Sequence, residues 1–286
     1  MLTRRETLAA LLASGEIAQL RAGSDIGNLF GEAQGVAVVI DYKTKRLLAA
    51  HRMETARNLV AAPGSVLKPL TLMALIDAGK LSGSETVRCS GQLKIAGASF
   101  ACVHPKMQVP LDCATAIAYS CNEFVARIAT RFSTGELADA LTRYGLASRT
   151  RLTEQAESVG IVKRVDGPKA NQLQALGESD VMATALGMAL AYHRLASQME
   201  RPQAAPILQG LEGAVEFGTA QKAAVAGVKV AGKTGSAPGL WAWFAGFAPS
   251  RVPSIVVTVL VRGRAGGVDA APIGGRIIKA QLAGRL

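Results

Sequence analysis

The chain has 286 residues, 49% of them hydrophobic, and four cysteines. That length suits one large domain or two lobes with a substantial core, and a mean hydropathy of +0.24 excludes an intrinsically disordered chain. The formal charge of +11 comes from Lys and Arg scattered without a polybasic block, which argues against nucleic-acid binding while suiting anionic polymers and headgroups.

In chain order, the first segment is Thr3-Arg4-Arg5-Glu6-Thr7-Leu8, with an apolar run from Leu8 to Ala13. It reads either as a vestigial twin-arginine-like export signal or as a short amphipathic helix carrying Leu8, Leu11, Leu12, Ile17 and Leu20 on one face. The second is preferred, because the apolar run is shorter than the usual signal region and ends at Gly15-Glu16. No stretch is long enough for a transmembrane helix. Residues 1–30 are therefore set apart as an N-terminal helical segment, and 31–286 form the main domain.

Residues 36–41 and 45–51 read as a β-hairpin. Residues 63–79 read as a helix that starts after Pro63-Gly64 and ends at Gly79. Residues 85–105 read as short strands or loop, and 111–119 and 122–132 as helices. Thr134 to Tyr144 is a further helix stopped by Gly145. Residues 150–177 are rich in loop signals. Val181 to Ser197 is a long apolar helix, and 211–225 contain another. Val228–Gly235, Trp241–Ala248 and Ser254–Val261 read as strands, and Ile273–Leu282 as a closing helix. Strands at both ends and helices between them predict an α+β fold: an antiparallel sheet of about five strands flanked by terminal helices (about 31–62 and 212–286), and an all-helical lobe (about 63–211).

Three short motifs carry the chemistry. Ser65-Val66-Leu67-Lys68 places a hydroxyl and an amine one helical turn apart on a shared face. A serine hydroxyl needs such a base to attack a carbonyl, and the start of a helix stabilises negative charge that develops there. Lys68 acts as a base only when neutral, a state favoured by burial and by a second cation such as Lys233. Ser120-Cys121-Asn122 offers a hydroxyl able to relay a proton to a leaving amine and an amide able to bond a peptide-like backbone. In Lys233-Thr234-Gly235-Ser236, Lys233 and Thr234 suit a carboxylate, and Gly235 lets a strand approach a ligand closely.

In this order the motifs resemble those of the active-site-serine penicillin-recognising enzymes, a superfamily whose closely similar set is a known pattern. From about Gly35 onward the chain is similar to the transpeptidase domain of penicillin-binding proteins. Val36–Asp41 with Leu47-Leu48-Ala49 resembles its opening hairpin, Ala62–Pro69 its nucleophile segment, Ala118–Phe124 its middle motif, and Trp243–Pro249 the strand after Lys-Thr-Gly. Lys45 stands where that family usually has glycine, and Ser236 where threonine is commoner.

The resemblance implies a serine D,D-transpeptidase or carboxypeptidase acting outside the cytoplasm on D-Ala-D-Ala stem peptides of peptidoglycan. Its partners would be those peptides, β-lactams and other cell-wall synthesis proteins. Ser65, Lys68, Ser120 and Ser236 would be catalytic, with the backbone N–H groups of Ser65 and Ser236 forming the oxyanion hole. Asn122, Lys233, Thr234 and Gly235 would bind substrate. No metal or cofactor is called for. Two alternatives stay open: a class D-like serine β-lactamase, whose middle motif usually has valine in place of Asn122, and a non-catalytic β-lactam sensor or cell-wall-binding scaffold.

Cys89, Cys102, Cys113 and Cys121 match no zinc spacing. Cys89 and Cys102 flank a small hairpin, where some elongation-type relatives look similar with paired cysteines, so a disulfide there is an implied option in an exported protein. Cys121 reads as small-residue packing. His51, His104 and His193 read as structural, and Glu154 and Glu157 as surface acids outside any hydrolytic pattern. Trp241, Trp243 and Phe244 read as alternating across one strand.

Overall fold

Alternation along the strands decides how the central sheet is covered. In β1 (Gly35–Asp41), Val36, Val38 and Ile40 face one core, while Ala37 and Val39 face another. Both sets are buried, so this strand has no solvent face and reads as an unbroken apolar run. The computed structural model describes residues 26–286. Arg4-Arg5 and the helix expected over Leu8–Leu20 lie outside the described residues.

From β1 the chain turns into β2 (Leu47–His51), α1 (Met53–Asn58), a 3-10 turn at Gly64–Leu67, and α2 (Lys68–Asp77). The hairpin β3 (Lys94–Ile95) and β4 (Ala98–Ser99) precedes α3 (Cys113–Ala118), α4 (Asn122–Ala129) and α5 (Glu136–Tyr144). Next come β5 (Ile161–Val162), α6 (Pro168–Leu176), β6 (Val181–Met182), α7 (Ala185–Ala196) and α8 (Ala205–Glu216). The chain returns to the sheet with β7 (Ala231–Ala237), β8 (Trp241–Ala248) and β9 (Ile255–Arg262), and ends in α9 (Gly266–Asp269) and α10 (Ala271–Leu282). The main sheet has five strands in the order β2-β1-β9-β8-β7, with all neighbours antiparallel. It is the α+β architecture expected from the pattern of elements.

α10 covers one face of the sheet through Ile273, Ile277 and Ile278, which share a core with Val39, Phe244 and Val257. The other face joins the helices: Val38, Trp243 and Leu260 belong to the same core as Leu72, Phe124 and Tyr192. Trp243 and Phe244 thus fall on opposite faces, as strand alternation requires, and Trp241 is only partly buried. Two hydrogen bonds tie the nucleophile segment down, one to β8 of the sheet and one to α7. Trp243 Nε1 donates to the Ala62 carbonyl at 2.9 Å, and the Tyr192 hydroxyl donates to the Val66 carbonyl at 2.8 Å.

Several element boundaries depart from the sequence reading. The helix expected over 63–79 begins as a 3-10 turn and becomes α-helical only at Lys68. Pro69 lacks an amide hydrogen and fits the first α-helical turn. Within the supposed loop at 150–177, Gly167-Pro168 starts α6 and the left-handed Gly177 ends it. Those loop signals are also the marks of a helix start and stop. The helix expected from Val181 starts later, because Val181–Met182 pairs as β6 and the Thr184 hydroxyl caps α7 by accepting from Gly187 N–H. The helix sought in 211–225 spans Ala205–Glu216.

Candidate active site

Ser65 sits in the 3-10 turn between β2 and α2, half-exposed among buried neighbours. Gly64 sets that turn. Its φ is +53°, and a Cβ there would lie 2.3 Å from the Ser236 carbonyl oxygen. Its N–H donates to the Gly177 carbonyl at 3.1 Å. On the facing strand, a Cβ on Gly235 would lie 2.6 Å from the Pro63 oxygen and 2.8 Å from the Val66 nitrogen. The two glycines let the nucleophile turn rest directly on the β7 backbone.

Lys68 opens α2 and is fully buried. Its Nζ donates to the Ser120 carbonyl at 2.7 Å, to Ser120 Oγ at 3.2 Å and to Asn122 Oδ1 at 2.5 Å. Burial pulls the amine down to about 8, against smaller opposing pulls from Cys121, Cys102 and Glu178. A lysine near 8 has a usable neutral fraction at neutral pH.

Ser120 occupies the turn between α3 and α4 with φ +59°, a left-handed conformation uncommon outside glycine. Ser120 N–H donates to Ile117 O at 3.1 Å and Cys121 N–H to Ala116 O at 2.8 Å, which hold the turn closed. Asn122 is engaged at both ends of its amide. Besides accepting from Lys68, it donates through Nδ2 to the carbonyls of Phe100 at 3.0 Å and Ala101 at 3.3 Å. Its visible work is to position Lys68 and the loop before Cys102.

Lys233 is also fully buried, donating to the Thr234 carbonyl at 2.9 Å. Desolvation, then the nearby charge of Lys68, pushes its amine well below the ordinary range. The Thr234 hydroxyl donates to Thr219 Oγ1 at 2.8 Å. Ser236 is exposed, and its Oγ accepts from Gly266 N–H at 3.1 Å. The charge of Lys68 thus disfavours the charge of Lys233.

Two features were not legible in the motifs. Glu178 follows Gly177, the residue that bonds the nucleophile turn; burial raises its carboxyl, and the charge of Lys68 pulls it the other way. Cys89, Cys102, His104 and Cys121 converge on one point beside Ser120 and Asn122, with their ligand atoms within 4.8 Å of one another. The spacing that excluded a zinc pattern does not show this grouping, because the β3–β4 hairpin folds Cys89 and Cys102 back toward α4. All four cysteines are free thiols, and Cys113 is buried in the core away from the cluster. The other histidines are structural: His51 packs on Phe30, and the His193 ring bonds the Tyr42 carbonyl at 2.8 Å. Glu157 holds its own loop by accepting from Thr150 and Arg151, and Glu154 is exposed.

Known proteins are similar to this chain in sequence and in fold. Peptidoglycan D,D-transpeptidase PbpA of Mycobacterium tuberculosis is 27% identical over 274 residues, covering 78% of this chain and 55% of that protein. PbpA of Mycolicibacterium smegmatis is 41% identical over a shorter stretch of 95 residues, 28% of this chain and 19% of that protein. The chain spans about half the length of the first of these relatives. The fold superposes on Pseudomonas aeruginosa PBP2, solved in complex with WCK 5153, with a TM-score of 0.80 at 20% identity, over 90% of this chain and 76% of that one. It also superposes on the D,D-transpeptidase domain of a peptidoglycan glycosyltransferase from Eggerthella lenta, with a TM-score of 0.77 at 20% identity, over 93% of this chain and 82% of that one. The family model of the penicillin-binding protein transpeptidase domain matches residues 35–279, most of the chain, and the chain belongs to that family.

Proposed function

We propose that the protein is a serine D,D-transpeptidase or carboxypeptidase that acts outside the cytoplasm on D-Ala-D-Ala stem peptides of peptidoglycan and is acylated by β-lactams. The observation that carries this reading is the buried Lys68, bonded to both Ser120 and Asn122 at the foot of the turn that presents Ser65. Ser65 Oγ attacks the carbonyl between the terminal D-alanines, and its proton passes to neutral Lys68. Backbone N–H groups of Ser65 and Ser236 receive the oxyanion. Ser120, whose Oγ lies 3.2 Å from Lys68 Nζ, relays that proton to the departing D-alanine amine. The carbonyl–nitrogen bond breaks and an acyl ester on Ser65 remains. An amine of a neighbouring stem peptide, or water, then resolves the ester. Lys233, Thr234 and Gly235 line the strand that receives the substrate carboxylate end, and Asn122 keeps Lys68 aligned. Residues 31–286 form the catalytic domain on this reading, with other cell-wall synthesis proteins as the accompanying partner class.

The test is an incubation with a penicillin, followed by intact mass, digestion and location of the adduct. One adduct on Ser65 is expected; a label on Ser120 or Cys121 overturns the assignment, and no adduct at all favours a binding scaffold. The ester is expected to persist for minutes or longer. Neither Glu154 nor Glu157 falls in a hydrolytic sequence pattern, and the tethered leaving group stays in the cleft. With a chromogenic cephalosporin, about one equivalent of product and then near silence should follow. Steady turnover above about one per second, toward the usual enzyme range, would move the protein to the β-lactamases.

The state of Lys68 sets the pH dependence. An amine that titrates near 8 is mostly protonated, and so unable to accept the Ser65 proton, at lower pH. Acylation at subsaturating β-lactam is expected to rise by about tenfold per pH unit below that value and to level off above it. A flat profile across the neutral range would remove Lys68 deprotonation from the rate.

A further inference from the structure

We propose that Cys89, Cys102, His104 and Cys121 form a tetrahedral site for one divalent ion of zinc type, which clamps the β3–β4 hairpin onto the Ser120-Cys121-Asn122 turn. The inference goes beyond the acyl-transfer reading and does not depend on it.

The distances carry the argument. Zinc–sulfur bonds are about 2.3 Å and zinc–nitrogen bonds about 2.0–2.1 Å, so tetrahedral ligands of one ion stand about 3.8 Å apart for sulfur pairs and about 3.6 Å for sulfur and nitrogen. Cys89 Sγ is 3.6 Å from Cys102 Sγ, Cys102 Sγ is 3.8 Å from Cys121 Sγ, and His104 Nε2 is 3.6 Å from Cys89 Sγ. A disulfide between Cys89 and Cys102 would leave Cys121 and His104 converging on the pair without a role. An ion uses all four groups.

The surroundings fit the same ligand set. His104 Nδ1 is 2.8 Å from the Pro105 carbonyl, which only accepts, so Nδ1 carries the proton and Nε2 turns a lone pair toward the cluster. That is the outer-shell contact which fixes the tautomer of a metal-ligating histidine. Backbone N–H groups back the sulfurs: Gly91 donates to Cys89 Sγ and Phe124 to Cys121 Sγ, each at 3.4 Å. Cys102 lies against the amides of Asn122 and Glu123 at the start of α4. Three soft thiolates with one imidazole in tetrahedral array select zinc over the hard, oxygen-seeking cations. Each ligating thiol releases its proton to solvent, and no electron is transferred.

The site lies next to the catalytic turn. Cys121 is flanked by Ser120 and Asn122, both bonded to Lys68, and Asn122 Nδ2 holds the Phe100 and Ala101 carbonyls just before Cys102. An ion here braces the chain segments that hold the base.

The experiment titrates the full, reduced, metal-free chain with Co²⁺. Thiolate-to-cobalt charge transfer and intense tetrahedral ligand-field bands are expected, saturating at one Co²⁺ per chain and bleached by one equivalent of Zn²⁺. Cys102→Ser and His104→Ala should each weaken binding by at least the roughly 10–100-fold that outer-shell partners are worth. Cys113→Ala, outside the cluster, should bind as wild type does. Absence of the tetrahedral thiolate spectrum from the folded wild-type chain overturns the proposal whatever the variants do. An undiminished spectrum in folded Cys102→Ser and His104→Ala overturns it as well.

Discussion

Replacing Lys68 with alanine is expected to slow acylation of Ser65 by about 10²–10⁴-fold, the usual worth of a positioned general base. The geometry makes that group hard to substitute. Its Nζ is the shared donor for the Ser120 carbonyl, Ser120 Oγ and Asn122 Oδ1, and it is enclosed on all sides. Lys68→Arg should do no better. A guanidinium stays protonated at every accessible pH and needs more room than a buried amine leaves. The measurement is an intact-mass time course of penicillin adduct under subsaturating conditions for wild type and both variants, with folding checked by thermal melting. An arginine variant that acylates near the wild-type rate would take proton abstraction away from Lys68.

Gly64→Ala is expected to damage stability and chemistry together. A left-handed non-glycine residue costs about 1–2 kcal/mol. Overpacking adds about 1–3 kcal/mol, and here the new Cβ would stand 2.3 Å from a backbone oxygen of Ser236, which cannot rotate away. Relief requires the nucleophile turn to lift from β7, and a displacement near 1 Å at a reacting group can cost about 10²-fold in rate. Gly79→Ala is the matched control: its φ is +67°, but no atom lies within 4 Å of the added Cβ. The control should lose only the conformational part and acylate normally. If the two variants melt and acylate alike, close packing of the turn on β7 is not what positions Ser65.

The fold was legible in the sequence because its strongest signals were periodic. The strand runs at 36–41, 241–248 and 254–261 fall within a residue or two of β1, β8 and β9, and α5 ends at Gly145, a left-handed cap. Less legible were elements whose signals have two meanings. Gly167-Pro168 and Gly177 mark loops as readily as the two ends of α6. At the site, the motifs name Ser65, Lys68, Ser120 and Lys233 because each pairs a residue type with a fixed short spacing. They say nothing of where Asn122 directs its amide, a question settled by the carbonyls of a loop some twenty residues earlier in the chain. The convergence of Cys89, Cys102, His104 and Cys121 was hidden for the same reason: their spacing is set by a hairpin that returns on itself, and no local repeat records it. Glu178 carries no motif, and only the contact of Gly177 with the nucleophile turn brings it near Lys68.

β7 is the last strand of the sheet, and among the described residues no further strand pairs with it. A terminal strand leaves half of its N–H and C=O groups without a ladder partner, and here those groups run along Lys233–Ala237 beside Ser65. An extended peptide laid there would be read through its main chain, as in recognition by strand addition. Main-chain pairing is blind to side chains, so the edge sets register and direction while tolerating wide chemical variety along the ligand. Selectivity then falls to the few positions where the ligand leaves the strand. Ligands that share only an amide and a nearby carboxylate can therefore compete for the same edge, whatever else they carry.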